Sequence, residues 1–258
     1  MSLVYCVARL SQRALHSALC GAERDRPHSR CIARDTARVM ARLSCGGMGI
    51  RVQVVDEHHL LAVQPCVIIA NHQSFVDYPI LAAIFPARTT IVGKAEIGRM
   101  PLIGWLFRAT GNVLLARHDR HSAAETMDTL VDVVRADGRN IWMFPEGTRR
   151  RTPAAMLPFK SGAFRVAAIS GAPIVPVVIS ALAPDIDAVQ RRLVPTTVTV
   201  RVLPPRHVTM RTREQLAADI ATTRTEMSEV FCAISDASSG HRHAPCHAER
   251  DTAGQSTD

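Results

Sequence analysis

The sequence predicts an α/β fold, in which a largely parallel central sheet is flanked by helices and preceded by an amphipathic pair of helices. From about residue 50, short runs rich in β-branched residues alternate with longer stretches of helical periodicity. Several of these runs are apolar along their whole length, which is typical of strands buried on both faces between helices. With 258 residues, of which 47% are hydrophobic, the chain can bury one core. We therefore expect one folded domain at residues 49–234.

Residues 1–48 are predicted to form the amphipathic motif. A first helix at 2–20 places apolar side chains on one face, namely Leu3, Val7, Leu10, Ala14 and Ala18. A second helix from about 30 to 44 repeats an arginine every fourth residue, at Arg30, Arg34, Arg38 and Arg42. Like charges at this spacing repel by roughly a few tenths of a kcal/mol per pair, a cost that an anionic membrane surface would remove. A helical pair packed on the domain with a solvated arginine face explains the pattern equally well, and the two interpretations are compatible.

The strands of the domain are predicted from runs of β-branched and apolar residues bounded by polar or turn-forming residues. They fall at residues 50–55, 66–70, 89–93, 112–116, 140–144, 174–180 and 197–203.

The helices of the domain are predicted from apolar residues recurring at helical spacing. They fall at residues 77–85, 122–136, 161–170 and 212–234. Beyond them, residues 235–258 are polar, small and rich in histidine, so we expect a disordered tail. Its three histidines and Cys246 could bind a metal adventitiously, but a flexible tail is the preferred interpretation.

The charge of the chain indicates anionic partners. Its formal net charge is +8 and its pI is about 9.6, which admits nucleic acid, acidic carrier proteins, phosphorylated metabolites and anionic lipid. Aromatic residues make up only 4%, which argues against a protein that stacks nucleic-acid bases on aromatic rings. Lipid is therefore favoured over nucleic acid.

The cysteines and the apolar segments indicate a cytosolic or peripheral protein. Seven cysteines without a Cys-x-x-Cys pair suggest neither a disulfide framework nor a thiolate zinc site. Arg9 and Arg13 interrupt the apolar stretch at the N-terminus, and no segment reaches the roughly 18 uncharged apolar residues of a membrane span. A reducing compartment and peripheral attachment to a membrane fit these features.

A histidine and a carboxylate follow the strand predicted at 66–70. His72 comes directly after the strand, and Asp77 lies five residues later, at the start of the next helix. A carboxylate that holds one imidazole nitrogen protonated leaves the other free to accept a proton from a hydroxyl. The alternative is a capping arrangement, in which Asp77 serves the backbone as part of Ser74-x-x-Asp77. Ser74 itself is interpreted as structural, because the chain has no Gly-x-Ser-x-Gly turn.

A second polar turn follows the strand predicted at 140–144. Its sequence is Phe-Pro-Glu-Gly-Thr-Arg-Arg at residues 144–150. Gly147 permits close backbone approach, Thr148 offers a hydroxyl, and Arg149 supplies a fork of donors suited to phosphate oxygens. A plain surface turn with solvated arginines would carry the same charges. The chain has no dinucleotide fingerprint, no Gly-x4-Gly-Lys phosphate loop and no His-Glu-x-x-His zinc pair.

Four segments, in order and at the right spacing, resemble the 1-acyl-glycerol-3-phosphate acyltransferase family. They are Asn-His-x-Ser-x-x-Asp at 71–77, Gly-Asn-Val-Leu-Leu-Ala-Arg at 111–117, Phe-Pro-Glu-Gly-Thr-Arg at 144–149 and Val-Pro-Val-Val-Ile at 175–179. The third matches the family's signature completely, whereas the second has Leu114 where the family has an aromatic residue. The resemblance covers roughly residues 50–205.

The resemblance implies transfer of a fatty acyl group from a coenzyme A or acyl-carrier-protein thioester to the free hydroxyl of a lysophospholipid. The expected acceptor is 1-acyl-glycerol-3-phosphate, which would give phosphatidic acid. His72 would be the general base, oriented by Asp77, without an acyl-enzyme. No metal or cofactor is expected beyond the thioester co-substrate, and the enzyme would lie peripherally on the cytoplasmic face of the inner (plasma) membrane.

The same resemblance implies a set of residues that bind the glycerol-phosphate part of the acceptor. They are Glu146, Gly147, Thr148 and Arg149, with Lys94 and Arg117 adding positive charge near the phosphate. Lys94 gains weight because Lys94 and Lys160 are the only lysines in the chain.

Three alternatives remain open at this point. The loose second segment leaves the head group undecided, so another lysolipid, such as lyso-ornithine lipid, is a possible acceptor. A non-catalytic membrane-lipid-binding protein would keep the fold and its basic surface. A thioesterase-like hydrolase would use His72 to activate water instead of an alcohol.

Overall fold

The computed structural model describes residues 38–39, 41–100, 104, 107, 111–115, 120–149, 156–182 and 195–239. The helix predicted at 2–20, most of the one predicted at 30–44 and the tail from residue 240 lie outside these ranges. Residues 41–47 are helical and form α1, which lies at the end of the second predicted helix.

The described residues contain a seven-stranded sheet in the order β1-β7-β6-β2-β5-β3-β4. The strands are β1 (Ile50–Val55), β2 (Val67–Ala70), β3 (Thr89–Lys94), β4 (Val113–Leu115), β5 (Asn140–Met143), β6 (Ile174–Ile179) and β7 (Thr196–Val202). Every neighbouring pair is parallel except β6 and β7. The predicted largely parallel sheet is therefore confirmed, and each predicted strand is found with its ends displaced by at most one residue.

The helices cover both faces of this sheet. They are α2 (His58–Leu61), α3 (Asp77–Leu81), α4 (Arg120–Arg135), α5 (Gly162–Ser170) and α6 (Arg213–Ser239), with 3₁₀ turns at Ala82–Ile84 and Ala95–Arg99. Alternate residues of β2 belong to two different apolar clusters. Val67 and Ile69 pack with residues of α4, α5 and α6, whereas Ile68 and Ala70 pack with α3 on the opposite face. β2, β5 and β6 are consequently buried at every residue, as the apolar runs predicted.

The last helix is longer than predicted. It continues to Ser239, five residues beyond the predicted end at 234, so the predicted start of the tail at 235 is too early. Ser235 is buried, and its hydroxyl oxygen accepts a hydrogen bond of 2.8 Å from the N–H of Ala181. Its polarity suggested a tail, whereas in the fold it satisfies a backbone donor beside β6. No helix in the described part of the chain is long and apolar enough to cross a membrane.

The direction of the central strands creates one edge where polar residues collect. β2, β3, β5 and β6 are parallel to one another, so their carboxyl ends lie on the same side of the sheet. The turns at 71–76 and 144–149 follow β2 and β5, which are hydrogen-bonded neighbours. The two segments singled out in the sequence therefore meet at this edge.

Candidate active site

His72 and Asp77 are in direct contact at the end of β2. The distance from His72 Nδ1 to Asp77 Oδ2 is 2.8 Å, and the residues are 8% and 0% exposed. The same carboxylate oxygen accepts the backbone N–H groups of Gln73 at 2.6 Å and Ser74 at 2.9 Å. Asp77 thus serves both of the roles considered from the sequence, since it holds the imidazole and also caps the turn.

The imidazole of His72 is fixed by aromatic neighbours as well. Phe144 stacks on it with ring centroids 4.0 Å apart, and Tyr78 meets it edge-on at 5.7 Å. Because the Asp77 carboxylate can only accept, Nδ1 carries the proton, and Nε2 is then the nitrogen able to take another. The arrangement can therefore act as a general base.

Glu146 joins the turn after β5 to the turn after β2. Its Oε1 accepts the backbone N–H of His72 at 3.0 Å, and its Oε2 accepts that of Leu157 at 3.0 Å. The residue is 2% exposed. Gly147 adopts a φ of 74°, a conformation that favours glycine, and its N–H closes the turn onto the carbonyl of Phe144.

Two of the predicted cations, Arg149 and Lys94, lie at the same edge of the sheet as His72 and Asp77. Arg149 is exposed, and its guanidinium carbon lies 3.8 Å from the centre of the Phe75 ring. Lys94 is exposed at the end of β3, two strands from β2, which corresponds to about 10 Å at the usual strand spacing. Thr148 is exposed beside Arg149. Arg117, the remaining predicted cation, lies outside the described residues.

An apolar pocket of about 140 Å³ lies next to two of the rings that contact the imidazole. It is lined by Tyr78, Leu81, Ala82, Phe85, Ile91, Trp142 and Phe144. Phe144 and Tyr78 therefore both line the pocket and contact the ring of His72.

Comparison with known proteins places the chain in a family. A family model described as acyltransferase matches residues 51–180, which is half of the chain. The chain belongs to the acyltransferase family. The resemblance found in the four sequence segments is thereby confirmed.

Relatives of this acyltransferase carry a more specific name. The chain is 40% identical over 146 residues to the 1-acyl-sn-glycerol-3-phosphate acyltransferase of Saccharomyces cerevisiae. This alignment covers 56% of the chain and 48% of the relative. The alpha enzyme of that name from Homo sapiens is 34% identical over 190 residues, covering 72% of the chain and 66% of the relative. The enzyme of that name from Escherichia coli is 37% identical over 161 residues, covering 62% and 64%. The alignments thus span between about half and two thirds of these relatives' lengths.

A solved structure shares the fold of this acyltransferase. The crystal structure of the 1-acyl-sn-glycerophosphate acyltransferase from Thermotoga maritima superposes with a TM-score of 0.68, at 21% identity and with 88% of each chain covered. At that identity the likeness concerns the fold alone.

Asn71 and Gln73, which lie at the candidate site, were not assigned a role from the sequence. The Asn71 side chain extends the pairing of β2 with β6, accepting the N–H of Ile179 at 2.8 Å and donating to its carbonyl at 3.0 Å. The Gln73 amide donates to the carbonyl of Ser180 at 3.0 Å. Amide side chains directly after a buried strand are a signal for such anchoring, since they can continue a backbone ladder.

Proposed function

We propose that this acyltransferase moves a fatty acyl group from an acyl-CoA or acyl-carrier-protein thioester to the free hydroxyl of 1-acyl-glycerol-3-phosphate, giving phosphatidic acid. The observation that carries the proposal is the 2.8 Å hydrogen bond between His72 Nδ1 and the buried Asp77 carboxylate. The names of the relatives support the choice of acceptor over other lysolipids.

In the proposed mechanism His72 is the general base. Its Nε2 takes the proton of the acceptor hydroxyl while the hydroxyl oxygen attacks the thioester carbonyl carbon, and Asp77 stabilises the imidazolium that results. The carbon–sulfur bond then breaks, and the thiolate leaves with the electron pair. A thiol has an ordinary pKa of about 8.5, so the thiolate is a good leaving group and needs no strong acid. The imidazolium returns its proton to the thiolate or to solvent.

The mechanism requires no acyl-enzyme. The hydroxyl of the turn at 71–76 belongs to Ser74, and its oxygen accepts the backbone N–H of Val76 at 3.3 Å. This contact supports a structural role for Ser74, since it uses the hydroxyl to stabilise the turn.

We assign Glu146 a positioning role in place of the substrate contact implied by the resemblance. Both of its oxygens accept backbone N–H groups, one of them from His72 itself. Phosphate binding then falls to the exposed part of the turn, with Gly147, Thr148 and Arg149, aided by Lys94 and Arg117. Arginine suits this task because its fork of donors matches two phosphate oxygens at once.

The apolar pocket beside His72 is proposed to hold part of an acyl chain. Its lining is formed by apolar and aromatic side chains only, and it shares Phe144 and Tyr78 with the surroundings of the base. A chain bound there would bring a carbonyl at its end within reach of the imidazole.

Peripheral attachment to the cytoplasmic face of a membrane completes the proposal. Val39 and Leu43, one helical turn apart near the start of the described chain, are 48% and 43% exposed. Exposed apolar side chains in an arginine-rich helical segment suit an interfacial helix that sinks its apolar face into one leaflet.

The proposed reaction is tested by thiol release from an acyl thioester. Purified protein is given the thioester together with 1-acyl-glycerol-3-phosphate, lyso-ornithine lipid or no acceptor, each dispersed in detergent. Release that depends on the lysophosphatidate is expected. Release without acceptor would instead indicate a hydrolase, release only with lyso-ornithine lipid would change the acceptor, and no release in any mixture would indicate a lipid-binding protein.

A further inference from the structure

Phe75 is a large apolar side chain that belongs to neither of the two apolar clusters. At 63% it is the most exposed of the large hydrophobic residues in the described part of the chain. It lies inside the turn that carries the base, between His72 and Asp77. Its ring lies against the guanidinium of Arg149, whose central carbon is 3.8 Å from the ring centre.

The stacking geometry leaves Arg149 able to bind an anion. A guanidinium over an aromatic face is held by the attraction between its charge and the ring, and its N–H donors, which lie in its own plane, are not consumed. An ion pair with a carboxylate would fix the side chain but would occupy the same donors and neutralise the charge. Among the described acidic residues, none forms an ion pair with Arg149.

The stack also ties the cation to the base. Phe75 belongs to the turn that Asp77 caps through the N–H groups of Gln73 and Ser74. Arg149 belongs to the turn that Glu146 joins to the His72 backbone. The contact between Phe75 and Arg149 therefore holds the guanidinium against the turn that carries the imidazole.

We propose that Phe75 is a positioning residue for Arg149 and thereby sets the affinity for the phosphate of the acceptor. This inference rests on the function proposed above. Loss of the ring frees the arginine side chain, so an acceptor must order it on binding. The effect should fall on acceptor binding and leave the chemical step unchanged, because the imidazole is held by Asp77, Phe144 and Tyr78.

The test compares Phe75→Leu with Phe75→Tyr, which keeps an aromatic face. We expect Phe75→Leu to raise the KM for 1-acyl-glycerol-3-phosphate about fivefold, with kcat within about twofold of the unmodified enzyme, and Phe75→Tyr to restore the KM. The matching 1-acylglycerol, which lacks the phosphate, should show no such change. In an Arg149→Gln background, Phe75→Leu should have no further effect on KM. Met210→Ala, at another exposed apolar side chain, is the control and should leave KM unchanged.

A binding measurement separates this inference from the proposed function. Titration of lysophosphatidate into the protein without a thioester should give a Kd about fivefold weaker for Phe75→Leu. Binding without transfer by the unmodified protein would refute the proposed function, while the Kd ratio would still decide the role of Phe75. An unchanged Kd and KM in Phe75→Leu would overturn the inference, and so would an equal rise in the KM for 1-acylglycerol. A further rise in KM when Phe75→Leu is added to Arg149→Gln would also overturn it. So would failure of the unmodified protein to bind lysophosphatidate. Loss of sedimentation with anionic vesicles in Phe75→Leu would overturn it too, since Phe75 would then be a membrane contact.

Discussion

The buried carboxylate of Glu146 joins two segments that lie 74 residues apart in the chain. Each of its oxygens accepts a backbone N–H, so a substrate that bound the carboxylate would compete with two contacts that hold the backbone. The backbone position of His72 depends on this contact, and the direction of the imidazole depends on Asp77. Two carboxylates thus hold His72, one through its backbone and the other through its ring.

Replacing Glu146 with Gln should impair catalysis more than substrate binding. The amide keeps one acceptor, but its NH₂ group would face a backbone N–H, which leaves a buried donor unpaired at a cost of about 1–3 kcal/mol. We expect kcat to fall about tenfold to a hundredfold through displacement of His72, with a smaller change in the KM for the acceptor.

The control for this variant is Glu229→Gln on the exposed face of α6. It should leave both kinetic constants and the free energy of unfolding unchanged. If the Glu146→Gln enzyme instead has a normal kcat and a raised KM for the acceptor, Glu146 binds the substrate and does not position His72.

The sequence allowed some of these residue contacts to be predicted and concealed others. The contact between His72 and Asp77 was predictable because the residues are five apart and follow a strand. The partners of Glu146 are backbone groups of His72 and Leu157, and which donors face it depends on how β2 and β5 align. The pattern of residues alone does not specify how these two strands align. The stack of Phe75 with Arg149 arises in the same way, from two turns brought together at one edge.

The strands were predicted closely because burial on both faces demands uninterrupted apolar runs. β2, β5 and β6 read as such runs, and their ends are set by polar residues such as Asn71 and Ser180. The antiparallel pairing of β6 with β7 was not predictable, because an apolar run does not show in which direction its strand crosses the sheet. The four-residue α2 also went unpredicted, because one turn of helix is too short to show a period.

The pocket formed by α3, the 3₁₀ turn after it and β5 makes a prediction about acyl chains. Ala82 is its smallest lining residue, and Ala82→Phe should fill part of the roughly 140 Å³ space. We expect activity with long-chain acyl substrates to fall by about tenfold or more, while short-chain substrates lose much less. The measurement is kcat/KM for acyl thioesters and lysolipids of graded chain length.

Ala83→Phe provides a matched control, since the next residue of the same turn does not line the pocket. It should leave the chain-length profile unchanged. An equal loss at every chain length in Ala82→Phe would mean that the pocket does not hold an acyl chain.

At the scale of the whole molecule, the sheet separates two apolar clusters, and one of them contains a buried thiol. Cys66 is 0% exposed, and burial raises the pKa of its thiol to about 12. Because the pKa is higher in the folded protein than in the unfolded chain, the neutral thiol contributes stability below about pH 9 that is lost as the pH rises toward 12.

Removing this thiol should make the free energy of unfolding depend less on pH in the alkaline range. Cys66→Ala should be less stable than the unmodified protein at about pH 8, by roughly 1 kcal/mol for the lost volume. Between about pH 8 and about pH 10.5, however, its free energy of unfolding should fall less than that of the unmodified protein. Urea unfolding at both pH values measures this. Parallel decreases in the two proteins would show that Cys66 does not titrate with folding.

The central claim concerns His72 as the base of a transferase, and one measurement tests it most directly: thiol release with and without 1-acyl-glycerol-3-phosphate for His72→Ala. We expect acceptor-dependent release to fall at least about a hundredfold, since a general base contributes factors of that size. Sedimentation with anionic vesicles should be unchanged, and His207→Ala, which removes an exposed histidine, should remain active. Full acceptor-dependent release by His72→Ala would contradict the account.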